Sequence, residues 1–311
     1  MLTPASTPTR RLDLTSMQLF VAVCEEGSIA RAAQREHLAA SAVSKRLSDL
    51  ESSVDTALLY RHARGVDLTP AGETFLHHAR TVLFNMDRLQ VDLDEYAAGI
   101  KGHVRVHANI SAIVQFLPED LASFSRAHGQ IKIDLQEHVS TDIARAVAEG
   151  QADLGIAHVA QPLRDLVTQP YRKDRLVVVV PAQHPLAEND AVDFAQTLDY
   201  DHVGLHSNSA LYLAMRRAAT QANKPLRLRI QVTGLDAMCR MVQAGLGIGL
   251  LPDRAFALLG SGMGALRAVA LTDPWAERTL QLVARNFGTL PLTARMLVEH
   301  LQQSSRSHFD S

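Results

Sequence analysis

The sequence predicts an α-helical N-terminal domain followed by an α/β domain, and three observations lead there. Short amphipathic helical patterns fill residues 14–54. From Pro70 to about Ala98 an apolar residue recurs every third or fourth position without interruption. Beyond His103, short apolar runs alternate with amphipathic segments, the pattern of a mainly parallel, doubly wound sheet. A chain of 311 residues with 47% hydrophobic content is long enough for two or more domains and can give each a core.

Residues 1–12, MLTPASTPTRRL, are polar and rich in Pro, Thr and Ser, and read as a flexible arm. The first helix follows. Thr15 with Gln18 makes a capping box, and Leu14 with Leu19 its hydrophobic staple. Met17, Phe20, Val21 and Cys24 share one face, which makes Cys24 a small core residue in preference to a redox sensor. Gly27 ends this helix, and Ser28 is placed to cap the next, SIARAAQREHL, whose Ala32 and Ala33 let another helix cross closely. Ala39 and Ala40 then make a short break, with Ser41 the candidate cap of a third helix.

On that third helix Val43, Leu47, Leu50 and Val54 face inward. The opposite side offers Ser41, Ala42, Ser44, Lys45 and Arg46, small residues first and cations within the next turn. Such a helix start can enter the major groove of double-stranded DNA, where hydroxyls and long cations reach base edges and phosphates. An ordinary solvated helix face fits the same residues. The stretch LLYRHARGVDLTPAG reads as a two-stranded hairpin with Arg61, His62 and Arg64 near its tip, a wing that lies on phosphate backbone. Thr69-Pro70 opens a new helix with Pro at its first position. At a formal net charge of −2 the chain is not generally polybasic, so any DNA contact uses this local patch.

The ordered set Phe20, Ser28, Ala32-Ala33, Leu38, Ser41-Ala42-Val43-Ser44-Lys45, Leu47, Leu50-Glu51, Leu59, Arg61, Arg64, Val66, Leu68-Thr69 and Ala71-Gly72 resembles the LysR-type transcriptional regulators. The match is close over about the first quarter of the chain and extends to the rest in organisation. It implies a winged helix-turn-helix over residues 13–69, with Ser28, Ser41, Ala42, Ser44, Lys45, Arg46, Arg61 and Arg64 against DNA. It further implies a linker helix over 70–98, an effector-binding domain over 99–304 and a tail over 305–311. Where the family often carries a hydroxyl residue and Gln, this chain has Ala39-Ala40, so base preference is expected to rest on Ser41, Lys45 and Arg46; Tyr60 stands where Phe is usual.

Along the linker, Phe75, Ala79, Val82, Met86, Leu89, Leu93 and Tyr96 step by four and three, a heptad seam. Globular packing is the plain alternative. Directly after a wing, the seam suits dimerisation through Phe75, Val82, Met86, Leu89 and Leu93, because two reading heads on paired half-sites add avidity. The resemblance implies a homodimer, often paired into a homotetramer. Gly99 and Gly102 flank Ile100-Lys101 as a hinge.

Beyond it, VRVHANI, IKIDLQEHV, DLGIAHV, RLVVVVP, HVGLH, RLRIQVT, GLGIGLLP, LRAVAL and TLQLVAR are the candidate strands. The resemblance makes this a two-lobed α/β effector-binding domain similar to periplasmic solute-binding proteins, with lobe I at about 103–172 and 276–304 and lobe II at about 173–275. In such folds ligands sit beyond the carboxyl ends of the strands, where free helix N–H groups favour anions. Ser111, Ser140-Thr141, Ser207-Asn208-Ser209 and Gly234-Leu235 recur at matching βα turns. Singly each is a helix cap; together they outline a pocket. His158 and His206 end strands and either line it or serve as structural hydrogen-bonders. The expected ligand is a small effector, with carboxylates among the candidates.

Several chemistries find no support. The alternating Gly245, Gly247 and Gly249 precede no Lys-Ser/Thr and suit close strand packing better than a nucleotide loop. No G-x-S-x-G elbow, P-loop, His pair at metal spacing or Cys nucleophile with an evident partner occurs. Cys24 and Cys239 match no metal spacing. No catalytic residue, metal or cofactor is therefore expected. No run is apolar enough to span a membrane and the N-terminus lacks the apolar stretch of a signal peptide, so a cytoplasmic location is expected. A small-molecule-binding α/β enzyme and a solute-binding protein remain the alternatives; the missing motifs speak against the first, and the missing signal peptide and attached DNA-reading head against the second.

Overall fold

A computed structural model describes residues 12–62, 65–97, 102–159, 163, 166–260 and 264–309. The expected arm lies outside the described residues apart from Leu12, as do Arg64 at the wing tip and Gly99 of the hinge. The chain divides into two compact units, one from Met1–Asp94 with Glu149–Gln151 and the other from Glu95–Ala148 and Ala152–Ser311.

The first unit holds α1 (Leu14–Glu26), α2 (Ile29–Arg35), α3 (Ala40–Val54), the hairpin β1 (Leu59–His62) and β2 (Gly65–Leu68), and α4 (Pro70–Ala97). Phe20, Val23, Ala32, Val43 and Leu47 are buried in its core, the inward faces that the periodicity predicts. Two caps differ from the sequence expectation. Asp13, not Thr15, caps α1, its carboxylate accepting the Ser16 N–H at 2.9 Å. A carboxylate outcompetes a hydroxyl here because it also favours the positive end of the helix. The third helix starts two residues early, after Ala39 in place of Ser41, so Ser41 lies inside the first turn and does not cap. Its side chain is left exposed.

Glycines explain why the wing sits where it does. Gly65 has φ of 144° and lies against the Gly27 carbonyl, which accepts the Val66 N–H at 3.2 Å; a Cβ there would collide with that carbonyl and meet a strained backbone. Gly72 rests on the Leu58 carbonyl in the same way, which accounts physically for the Leu-Thr-Pro-Ala-Gly ending of the wing. Thr69 locks the corner, donating to the Ala57 carbonyl at 2.8 Å and accepting the Gly72 N–H at 2.9 Å.

The second unit begins with β3 (Gly102–Ala108), α5 (Ile110–Gln115), α6 (Leu117–Ala127), β4 (Ile131–Glu137), α7 (Ser140–Ala148), β5 (Leu154–His158) and the long β6 (Val167–Pro181). It continues through β7 (Ala191–Val192), α8 (Phe194–Thr197), β8 (His202–Leu205), α9 (Ala210–Gln221), β9 (Leu228–Val232), α10 (Leu235–Gln243), β10 (Ile248–Pro252), α11 (Asp253–Gly260), β11 (Leu266–Leu271), β12 (Glu277–Ala284) and α12 (Leu292–Phe309). The residues expected as a tail from 305 are thus helical up to Phe309. Ser305 is buried and donates to the Tyr171 carbonyl, which ties this end of the helix to β6.

The strands form two sheets joined by β6, in the order β4-β3-β5-β12-β6 and β6-β10-β8-β9, with β11 also on β6. Within each lobe β3, β4, β5 and β8, β9, β10 pair in parallel. The strands that carry the chain across and back, β6 and β12, pair antiparallel to each other and to their neighbours, so the sheets are mixed. Sequence marked β6 only from Arg175, because Pro170 and the charges before it disguise its start. The register of β12 against β6 slips at Leu280/Gln281, leaving Tyr171 unpaired, and its side chain is buried in lobe I. A bulge of this kind re-aims a side chain. Each lobe has its own apolar core.

Candidate functional site

In the first unit the exposed start of α3 is framed by the wing. Ser41, Ala42, Lys45 and Arg46 are exposed, while Val43, Leu47 and Leu50 anchor the opposite face in the core. Arg61 was expected as a phosphate grip. Its guanidinium is turned back onto α3, donating to Ser44 Oγ and Ser48 Oγ at 3.2 Å each and to Glu51 Oε2 at 3.1 Å. The other carboxylate oxygen of Glu51 accepts the Leu58 and Leu59 N–H groups at 2.8 and 3.0 Å. Glu51 therefore ties wing to helix, a role that its place in the sequence motif did not disclose. Ser28 caps α2, its hydroxyl accepting the Arg31 N–H at 3.4 Å.

Along α4 the seam divides. Phe75 packs edge-to-face on Phe20 at 5.0 Å and closes the core of the first unit, because the bend at Thr69 brings the start of the helix onto α1. Ala79 is buried as well, whereas Val82, Met86, Leu89 and Leu93 are 37%, 44%, 51% and 57% exposed. That is an uncovered apolar stripe four residues long on one helix face.

In the second unit, the starts of α5, α7 and α9 converge on the crevice between the lobes. Asn109 caps α5, accepting the Ala112 N–H at 2.9 Å, and Ser209 caps α9, accepting the Tyr212 N–H at 3.1 Å. A cavity of about 260 Å³ opens between these starts, with Ser111, Ser140, His206 and Asn208 in its lining. Behind it a chamber of about 950 Å³ includes Thr141, His158, Trp275 and Arg217. Of the residues expected at the pocket, Ser111, Ser140, Thr141, His158 and Asn208 are brought together. Ser207 is exposed and off both cavities. Gly234 and Leu235 open α10 but lie apart from them as well, with Leu235 buried in the lobe II core; the apolar side chain at the first helical position turns inward, not to the crevice.

The central residue of the crevice is one that sequence reasoning missed. Arg278, on β12, lines both cavities and is only 8% exposed. Its Nε and Nη2 donate to the two carboxylate oxygens of Asp174 at 2.8 and 2.5 Å, a bidentate pair of the strong, directional type. Gln115 donates to the same carboxylate at 3.0 Å, and Arg278 Nη2 stands 3.5 Å from Ser111 Oγ. Asp174 and Arg278 face each other across β6 and β12, the strands between the lobes. His158 donates its Nδ1–H to the Thr279 carbonyl at 3.3 Å. Burial, then the charge of Arg278, hold its imidazole below the ordinary histidine range, so the neutral form faces the chamber at neutral pH. Elsewhere, burial raises the Cys24 thiol to about 11, well away from a reactive thiolate. Gly247, with φ of 149°, is pressed against the Asp201 carbonyl at 2.6 Å from its would-be Cβ, and Gly249 lies against Met238 at 3.1 Å, so close packing accounts for these two, whereas Gly245, with φ of 75° and open space around it, answers to backbone conformation alone.

Among the described residues no cluster of side chains could hold a metal ion, and no helix is long and apolar enough to cross a membrane.

Comparison with known proteins covers both units. Residues 14–73 match the family model described as bacterial regulatory helix-turn-helix protein, lysR family, and residues 97–306 match the LysR substrate binding domain. The transcriptional regulator YbhD of Escherichia coli is 26% identical over 280 residues, 89% of this chain and 87% of YbhD. Among solved structures, full-length CbnR complexed with its target DNA superposes with a TM-score of 0.65 at 18% identity, covering 94% of this chain and all of CbnR. The effector-binding domain of QuiR in complex with shikimate superposes with a TM-score of 0.58 at 20% identity, covering 67% of this chain and 98% of that domain.

Proposed function

This chain belongs to the LysR family of bacterial transcriptional regulators, and we propose that a small molecule bound in the crevice of its second unit controls how its first unit binds promoter DNA. The observation that carries this reading is the crevice itself: a cavity ringed by helix starts and polar side chains, on the same chain as an exposed, cationic helix start. The reading head supplies double-stranded DNA contacts from Ser41, Ala42, Lys45 and Arg46, with Ser44 and Arg61 fixing the wing against them. Small leading side chains admit the helix into the major groove, and the two cations reach its walls.

The exposed stripe Val82, Met86, Leu89 and Leu93 supports pairing of two copies through α4, so that two heads meet paired half-sites. In this reading the protein is a homodimer or homotetramer. It acts by binding and not by catalysis, and it works in the cytoplasm where the promoter lies. Within the crevice, Ser111, Ser140 and Asn208 are the polar contacts, with Thr141 and His158 on the chamber behind. Closure of the lobes on the ligand is a population shift between conformers, expressed on DNA as a change in the spacing of the heads. Footprinting on the chain's own promoter with and without the effector tests this. A shortened or extended footprint is expected, and an identical footprint with identical transcription would overturn it.

A further inference from the structure

The chamber behind the helix starts is larger than the cavity in front of it, at about 950 against 260 Å³. Ser140, Asn208, Ala210 and Arg278 line both, so the two are adjoining compartments of one crevice. Both walls mix polar and apolar side chains, and the rear gathers its apolar ones into a patch. Hydroxyl, amide and imidazole groups ring the front together with the carboxylates of Glu137 and Asp142, while the rear, which also carries His158, Glu277 and Gln281, holds one apolar patch of Val159, Leu163, Leu213, Ala214 and Trp275. Arg278 stands at the junction. Its Nε and Nη2 are engaged by Asp174 and Ser111, and Nη1 has no hydrogen-bond partner among the described residues. Ser140 Oγ is buried at the same junction without a partner. Arg217 adds a second cation to the rear lining, which Glu277 shares. A nine-tenths-buried guanidinium with an unspent N–H beside an apolar patch selects a ligand with an anionic head and an apolar arm.

We propose that the effector is an extended amphiphilic carboxylate whose head accepts from Arg278 at the junction and whose apolar arm lies in the rear chamber against Leu213 and Trp275. This ligand class rests on the effector-sensing reading above.

Trp275 is the single tryptophan of the chain, so its fluorescence reports occupancy of the rear chamber directly. The full chain is titrated with phenylbutyrate, with the neutral phenylbutanol and with the armless benzoate. Phenylbutyrate is expected to change Trp275 emission saturably. Phenylbutanol should bind about tenfold more weakly, for want of the charge-assisted hydrogen bond, and benzoate at least about tenfold more weakly, for want of the buried methylenes. Ala214→Phe, and independently Ala144→Phe on the facing helix, should abolish the advantage over benzoate while leaving benzoate binding intact. Equal binding of the three probes, no Trp275 response to any of them, or a full advantage retained in both folded variants would overturn the proposal. A gel shift with promoter DNA runs in parallel. A saturable Trp275 response with unchanged DNA binding keeps the ligand class and sinks effector control; benzoate-sensitive DNA binding with a silent Trp275 does the reverse.

Discussion

Arg61–Glu51 in the reading head and Arg278–Asp174 in the sensor are the same two ions in opposite surroundings. The first pair meets at 3.1 Å with side chains 37% and 18% exposed. The second meets at 2.5 Å with side chains 6% and 0% exposed. Water solvates the first pair whether or not it forms, so its net worth is small. It also leaves the guanidinium within reach of an incoming phosphate. The buried pair is held by two strands and a glutamine, and neither ion has water to return to. The head therefore keeps its charges where a partner can take them over, and the sensor keeps its charges as a fixed electrostatic feature of the crevice.

The sharpest way to break this comparison is to remove one ion from each pair. Asp174→Ala leaves Arg278 buried and uncompensated, and should cost about 3–5 kcal/mol in chemical denaturation of the full chain. A loss below about 1 kcal/mol would mean that water reaches the pair and that the two regions do not differ. The sensor's buried histidines sharpen the contrast through pH. Burial lowers His202 to about 4 from 6.5, so between those values the unfolded chain binds a proton that the folded chain refuses. Stability is complete above the unfolded value and is lost as pH falls from about 6.5 toward 4, by about 3 kcal/mol in all. His202→Gln should flatten that acid limb of the stability curve, and an unchanged limb would reassign it to other groups.

The head should respond to mutation in binding, not in folding. Lys45→Ala is expected to weaken promoter binding by about 1–3 kcal/mol if it reads a base, or to lower the salt slope by about one if it holds a phosphate, with the melting temperature unmoved. Fluorescence anisotropy against salt separates the two, and no change in either would remove Lys45 from the interface. The smallest effect is Arg61→Ala, which should change head stability by less than about 1 kcal/mol, since Glu51 keeps its two backbone N–H partners. A loss matching that of Asp174→Ala would make the exposed pair a structural keystone after all.

The head was far more legible in the sequence than the crevice. Helix periodicity, the wing's Arg61 and the Thr69–Gly72 corner are local signals, each read from neighbours within a few positions. The recognition helix begins two residues early because no side chain at position 39 marks its start. Phe75 was misplaced onto the seam because a heptad pattern does not say which of its members the preceding corner folds back onto Phe20. In the sensor, the small polar residues at the starts of α5, α7 and α9 were readable as a recurring pattern, and three of those turns do meet at one cavity. The pattern overreached at Gly234-Leu235, where an equivalent βα turn faces elsewhere.

By itself the sequence determined the order of the domains, the inward faces of the helices, the exposed start of α3 and the alternation that builds two parallel-stranded lobes, because all of these follow from periodicity along a short stretch of chain. Only the tertiary structure decided that Arg278 is the centre of the crevice. Its partner Asp174 lies 104 positions away, and Ser111 lies 167 away. An arginine flanked by a glutamate and a threonine carries no local mark of burial. The two strands that cross between the lobes bring those groups together, and pairing across such distances is set by topology, which no local pattern encodes.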